Sequence, residues 1–343
     1  MFQKNNSARD TMKKYAAVLL FLASAPMFGS AAPAAEGPSI KKLDPALDSI
    51  IAPRAKIQKA ASGFIFVEGP MWKEGKLWFS DVRGDKVRTF DPKTKKVTVI
   101  LKDSGGVKDA PPDKNFGSNA MITDKDGSIL LTRMAIGTIE RMDDKGNFKP
   151  FLSKYQGKRL NSPNDLVFTK DGALWITDPS FGLAKMDADP KKELKFNAVW
   201  RYADGKLAPA ITDMTQPNGI GFSPDGKTLY VSNSQPDMYL RAYDVGPGGK
   251  LSNPRTIIKY PGSAPDVPDG LKVDSAGNIW TTGPGGIRII SPQGKVLGQL
   301  IVPEVVANIG FAEDGKTVYL TGSTSLYRLH TKIAGEIPMY YRP

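Results

Sequence analysis

The chain has 343 residues, a formal net charge of +12, 40 % hydrophobic residues, no cysteine and a single histidine, His330. These counts exclude a disulfide framework, a thiol nucleophile and a Cys-ligated zinc site, and they leave a Ser-His-Asp triad only one candidate base. Glycine (34) and proline (27) together make up about 18 % of the residues where roughly 12 % is usual, so many turns surround the folded interior.

The first 35 residues read as a leader. Lys13 and Lys14 precede an apolar run from Tyr15 to Phe28, followed by Ala32-Pro33-Ala34, which is the order of basic region, hydrophobic region and cleavage site in a secretory signal. The run is too short to span a bilayer, and no cysteine follows to carry a lipid. The expectation is an exported protein, periplasmic in a bacterium, without a stable membrane anchor. Four basic residues and one acidic residue lie in this segment, so its removal lowers the net charge from +12 to +9. The remaining basic clusters, Lys41-Lys42, Lys93-Lys95-Lys96 and Lys191-Lys192, are short, scattered and without interleaved aromatics, which argues against nucleic acid as a partner. Residues 36–61 are expected to form an N-terminal extension, and residues 62–343 a repeat domain.

Within that domain an apolar strand, an Asp-Gly or related turn and a second apolar strand recur. The turn glycines are Gly75, Gly127, Gly172, Gly226, Gly277 and Gly315, spaced by 52, 45, 54, 51 and 38 residues. Each is followed by a β-rich run: LWFSD, ILLTR, LWITD, TLYVSN, IWTTG and TVYLTG. Alternating polarity with β-branched and aromatic residues indicates hairpins, and a second strand pair follows each one. Six such units describe an all-β, six-bladed β-propeller with four antiparallel strands per blade. The last unit is short, and the segment from Ser62 to Val67 is expected to return and close the ring.

Aligned on the turn glycines, the start of each inner strand carries an oxygen-bearing side chain. Eight residues upstream stand Asn119, Asn164, Asn218 and Asp269, and seven upstream stand Glu68 and Asn308. Inner strands line the axis of a propeller, so these six side chains converge at one end of it. One such residue alone would be read as a strand-initiating turn residue bonded to local backbone. Six in register favour a site, and two carboxylates among carboxamides suit one hard divalent cation, Ca2+ before Mg2+, Mn2+ or Zn2+. Six or seven residues after each turn glycine stand Asp81, Arg133, Asp178, Asn233, Gly283 and Gly322, at the strand end that returns to the same face. Arg133 and Asp178 are expected to contact substrate, while Asp81 fits a substrate contact and a structural turn acid equally well. The Gly283-Pro284-Gly285-Gly286 segment lacks phosphate-loop spacing and reads as a turn.

The segments FVEGPMW (Phe66 to Trp72), NSPNDLV (Asn161 to Val167), TDPSFG (Thr177 to Gly182), QPNGIGFSPDGKTLYVSNS (Gln216 to Ser234) and PDGLKVDSAGNIW (Pro268 to Trp280) closely resemble the senescence-marker-protein/gluconolactonase (regucalcin-like) family over essentially the whole chain after the leader. The resemblance implies one catalytic divalent metal held at the positions of Glu68, Asn164, Asn218 and Asp269, and hydrolysis of sugar lactones, with relatives acting on other lactones or organophosphates. Two departures bear on substrate rather than metal. Ser162 stands where the animal branch carries an arginine, and Arg133-Met134-Ala135-Ile136-Gly137-Thr138 replaces a His-containing segment with paired arginines found in bacterial members.

The resulting expectation is a metal-dependent lactonase in which water attacks a polarised carbonyl, with Asp269 as general base or, in a variant, as direct nucleophile. Asn119, Asn308, Arg133 and Asp178 would read substrate hydroxyls, and Trp72 and Phe181 either pack on the sugar ring or belong to the blade core. Two alternatives stand beside it: a promiscuous lactonase or organophosphate hydrolase with a more apolar substrate, and a non-catalytic binding platform.

Overall fold

A computed structural model describes residues 37–340, in which six antiparallel sheets, five of four strands and one of five, are arranged in a ring. The leader expected at residues 1–35 lies outside the described residues. Blade 1 comprises Val67–Lys73, Lys76–Asp81, Lys86–Phe90 and Val97–Lys102, and blade 2 comprises Ser118–Thr123, Ile129–Arg133, Thr138–Met142 and Phe148–Leu152. Blade 3 comprises Leu166–Phe168, Leu174–Asp178, Ala198–Ala203 and Lys206–Ile211, and blade 4 comprises Pro217–Phe222, Thr228–Asn233, Tyr239–Val245 and Leu251–Lys259. Blade 5 is built from Leu271–Val273, Ile279–Gly283, Gly286–Ile290 and Val296–Ile301.

Blade 6 has three strands of its own, Val306–Ala312, Thr317–Gly322 and Ser325–His330. Its fourth strand is Gln58–Ser62, antiparallel to Ser325–His330. The closing strand therefore lies within the stretch expected to be a separate extension, and Ser62 to Val67 leads onward into blade 1. The rest of the extension is also part of the propeller. Ser39–Lys42 adds an outer strand to blade 5, and a short 3-10 turn at Pro45–Ser49, capped by Asp44, buries Leu47, Ile50 and Ile51 in the core between blades 5 and 6. Pairing the last blade with an N-terminal strand removes an open sheet edge and ties the two ends of the ring together.

Aromatic residues on the first three strands fill the seams between blades. Trp175 meets Phe222 edge-on at 5.4 Å, Trp280 meets Phe311 at 5.6 Å, and Phe90 meets Tyr319 at 6.1 Å. Trp280 is fully buried, and its indole N–H donates to Asp274. Truncating such a residue to alanine costs about 3–5 kcal/mol. Trp72 is likewise core, packed with Phe64, Phe79 and Tyr319. It stands four residues beyond Glu68 toward the turn end of the channel, so it does not stack on a ligand at the candidate site.

The inner strands are irregular where the candidate residues stand. Strand register shifts between Glu68 and Met71, Ser118 and Met121, Pro217 and Ile220, and Val306 and Asn308. In blades 3 and 5 the inner strand has only three residues, and Asn164 and Asp269 precede it. Such bulges re-aim side chains that a regular ladder would send to alternate faces. Beyond this level the channel opens into a cavity of about 470 Å3, lined by Met71, Ile122, Val167, Ile220 and Phe311 and closed at the turn face by Glu336 to Met339. An antiparallel bridge between Asp274 and Gly335 and the Phe168–Tyr340 ring contact hold that closing segment in place.

Candidate active site

Glu68, Asn119, Asn164, Asn218 and Asn308 are buried, and Asp269 half-buried, at the same end of the channel, so the six-fold alignment is realised in space. Neighbouring blades approach closely here, and two glycines permit it. A Cβ on Gly69, whose φ is +58°, would lie 2.0 Å from the carbonyl oxygen of Asn119, and one on Gly270 would lie 2.0 Å from the carboxamide carbon of Asn308. Each glycine directly follows a carboxylate, which explains the Glu-Gly and Asp-Gly pairs at these positions.

A second set of residues fixes the backbone, and it was open to detection from sequence. The next-to-last residue of the second strand is a hydroxyl in every blade: Ser80, Thr132, Thr177, Ser232, Thr282 and Thr321. Ser80, Thr132 and Ser232 donate to the carbonyls of Asn119, Asn164 and Asp269 in the following blade, at 2.7, 3.1 and 2.6 Å. Thr282 and Thr321 accept the backbone N–H of Asp269 and Asn308 in their own blade, each at 2.8 Å. The signal is a Ser/Thr column one residue before the expected outer ring.

That outer ring has a different task from the one expected. Asp81 accepts the N–H groups of Ile65 and Phe66, Asp178 those of Asn161 and Ser162 together with the Trp200 indole, and the Asn233 carbonyl that of Gln216. Arg133 works with reversed polarity, donating to the carbonyls of Ser104 and Asp103 at 2.9 and 3.0 Å and pairing with Glu140. In each case the partner is the loop that leads into the same blade's inner strand. Arg133 and Asp178, expected to contact substrate, thus clamp loops, with their polar groups committed there. Asp178 is fully buried, and burial raises its pKa to about 6 against the three donors that favour its anion. His330 ends the outward third strand of blade 6, exposed and opposite Thr317 on the turn side, far from this cluster. No histidine triad forms.

Asn308 is also committed. Its carbonyl accepts Ile309 N–H at 2.8 Å, which turns its amide nitrogen toward Glu68 Oε2, also at 2.8 Å. Glu68 Oε2 further accepts Gly69 N–H, while Glu68 Oε1 is buried without a partner. Asn218 donates to Ser234 at 3.0 Å, and its carbonyl oxygen is likewise buried and unpartnered. Burial, reinforced by the Glu68 and Asp165 carboxylates, raises the pKa of Asp269 well above the usual range. Burial also raises Glu68, against the Gly69 N–H that favours its anion. Two neighbouring acids that raise each other's pKa retain a proton unless a cation replaces it. Orphaned hard oxygens beside such a pair are the donor set a divalent ion requires. Among the described residues no three Asp, Glu or His side chains form a metal-holding group, so a cation here must also take carboxamide oxygens.

Asp165, adjacent to Asn164, is the polar residue at this level that the alignment missed. It is buried, accepts Leu166 N–H at 2.8 Å and lies 3.6 Å from the Lys272 ammonium. The wall beside Asn119 is formed by Met134, whose sulfur is 3.6 Å from the Asn119 amide nitrogen. Ser162, at the position of the animal arginine, accepts Gly182 N–H at 2.8 Å and so pins the loop that carries Phe181 against Met134.

Residues 66–324 match the family model described as the SMP-30/Gluconolactonase/LRE-like region. The chain belongs to this family. A gluconolactonase of Zymomonas mobilis is 34 % identical over 313 residues, covering 86 % of this chain and 87 % of the relative. The solved structure of XC5397 from Xanthomonas campestris, titled a gluconolactonase, superposes with a TM-score of 0.74 at 30 % identity, covering 88 % of this chain and 98 % of that one. A diisopropyl-fluorophosphatase of Loligo vulgaris is 26 % identical, covering 69 % of this chain and 76 % of the relative. This SMP-30/gluconolactonase member is a carboxylic-ester hydrolase of the lactonase type, which displaces the binding-platform alternative.

Proposed function

We propose that the protein opens a sugar lactone by water attack on its carbonyl, with one divalent cation held by Glu68, Asn164, Asn218 and Asp269. The observation that carries this reading is the pair of buried, unpartnered oxygens, Glu68 Oε1 and Asn218 Oδ1, beside Asp269, whose pKa is raised well above the usual range. When bound, the cation supplies Lewis acidity toward the carbonyl and neutralises the charge that develops on its oxygen. Ca2+ is favoured because every candidate donor is a hard oxygen, and metal analysis of protein purified without added ions distinguishes it from Mg2+, Mn2+ and Zn2+.

Asp269 is the general base in this scheme. It lies among the proposed ligands, and its backbone is fixed on both sides by Thr282 and Ser232. As its carboxylate it removes a proton from the attacking water. Asn119 presents a carboxamide to the substrate beside Met134, and the half-buried Phe181 extends the apolar part of that wall. The Met134 wall and the similarity to a diisopropyl-fluorophosphatase favour a second reading, an organophosphate or apolar lactone as the preferred substrate.

Rates on glucono-1,5-lactone, a pentonolactone, an aliphatic δ-lactone and diisopropyl fluorophosphate, each with and without chelator, test both. Chelator-sensitive turnover led by the sugar lactones supports the first reading, and turnover confined to the apolar substrates supports the second. Export is inferred from the basic and apolar leader, and sequencing the N-terminus of the protein recovered from the host's periplasm tests it.

A further inference from the structure

Lys272 lies between Leu271 and Val273 on the inner strand of blade 5. Those two neighbours are buried among the blade 4–blade 5 apolar residues, so the two-residue period of the strand turns Lys272 to the channel, where it lines the cavity. A lysine in such a place is costly unless its ammonium is paired. Its Nζ is 2.9 Å from the carbonyl of Leu271, 3.4 Å from Asn308 Oδ1 and 3.6 Å from Asp165 Oδ2. Asn308 in turn donates to Glu68 at 2.8 Å. The ammonium therefore touches, from the cavity side, the groups that bound the candidate metal site from below.

Three carboxylates, the buried Glu68 and Asp165 and the half-buried Asp269, stand at this level, one more than a divalent ion neutralises. We propose that Lys272 is the fixed countercharge of Asp165, so that the site presents two uncompensated negative charges and selects a divalent over a trivalent cation. The inference rests on the metal reading above. Lys272 is a selectivity and positioning residue: it cancels the third charge and, through Asn308 Oδ1, helps keep the amide nitrogen on Glu68.

The test is the ratio of Tb3+ to Ca2+ affinity, measured by calorimetry on the folded, chelator-treated full chain. Removing a fixed positive charge several ångströms from the ion favours a trivalent ion by half as much again as a divalent one, so Lys272→Met raises the ratio by about tenfold or more. Lys272→Arg keeps the wild-type ratio, and the double variant Lys272→Met with Asp165→Asn restores it because the pair is removed together. A merely structural role would weaken both ions alike and leave the ratio unmoved. An unchanged ratio in folded Lys272→Met, or a double variant that stays shifted, overturns the inference and leaves the lactonase reading standing. Failure of the wild type to bind either ion overturns both. Should Lys272→Met not fold, Lys272→Gln carries the same expectation.

Discussion

The Asn308 amide donates to the Glu68 carboxylate at 2.8 Å, joining the inner strand of the last blade to that of the first across 240 residues of chain. The bond lies on the seam where the ring closes, and it decides which Glu68 oxygen is left free. With Oε2 occupied by Asn308 and Gly69, only Oε1 faces the candidate site unpartnered. Ring closure and site geometry are therefore the same structural event. Asn308→Ala releases Glu68, and the loss of a charge-assisted buried hydrogen bond, about 1.5–3 kcal/mol, lowers divalent-ion affinity by roughly 10–100-fold. Calorimetric titration with Ca2+ checks this.

Arg133 separates a loop clamp from a substrate contact. Arg133→Met leaves Glu140 and two carbonyls without their donor, at a cost of roughly 2–4 kcal/mol in stability. Thermal unfolding registers that loss while kcat/KM on the preferred lactone stays within about threefold. A fall in kcat/KM of a hundredfold at unchanged stability would return Arg133 to the substrate.

Asp178 predicts a pH dependence with a definite sign. Its pKa in the folded chain is about 6, above the ordinary value of 3.8 expected on unfolding, so the native state holds the proton more tightly. Its contribution to stability is greatest below the unfolded pKa and is lost as pH rises from about 4 through about 6, to a total of about 3 kcal/mol. Subtracting the denaturation free energies of Asp178→Asn from those of the wild type across this range isolates the slope. A difference that rises with pH contradicts it.

The closing strand makes the N-terminal segment part of the ring. A variant beginning at Gly37 retains Gln58–Ser62 and the buried Leu47, Ile50 and Ile51, whereas one beginning at Gly63 loses both. The longer variant unfolds cooperatively, and the shorter one melts about 10 °C or more lower, as expected for a loss of about 5 kcal/mol. Calorimetric scans of the two read this directly.

Much of the fold and half of the site were legible because a propeller writes its geometry as a repeat. Turn glycines at near-regular spacing gave six blades, and the residues upstream of them gave six oxygen side chains at one end of the channel, five of them buried. What alignment could not show was direction. Asp178 and Arg133 occupy positions that return to the site face, yet their polar atoms turn to backbone groups of their own blade's lead-in loops, and only the loops' path reveals it. Asn308 sits in register with the proposed ligands, but its amide nitrogen is claimed by Glu68 and its oxygen by the Ile309 N–H. Asp165 follows an expected ligand and so falls out of a column alignment, although its charge reaches Glu68 and Asp269. The closing strand was misplaced because Gln58–Ser62 has a polar outer-strand pattern, whereas Ser62 to Val67 looks more like a strand from composition alone.

The account turns on whether lactone hydrolysis needs a cation held through Asp269. The measurement is the initial rate on glucono-1,5-lactone, above the spontaneous rate, for chelator-treated protein before and after addition of Ca2+, with Asp269→Asn beside it. The wild type is expected at background when stripped and restored by the ion, while Asp269→Asn is at background when stripped and, with Ca2+ added, lower than the restored wild type by about 100-fold or more, the range for loss of a general base. Full activity in protein verified to be metal-free, or in Asp269→Asn, contradicts the account.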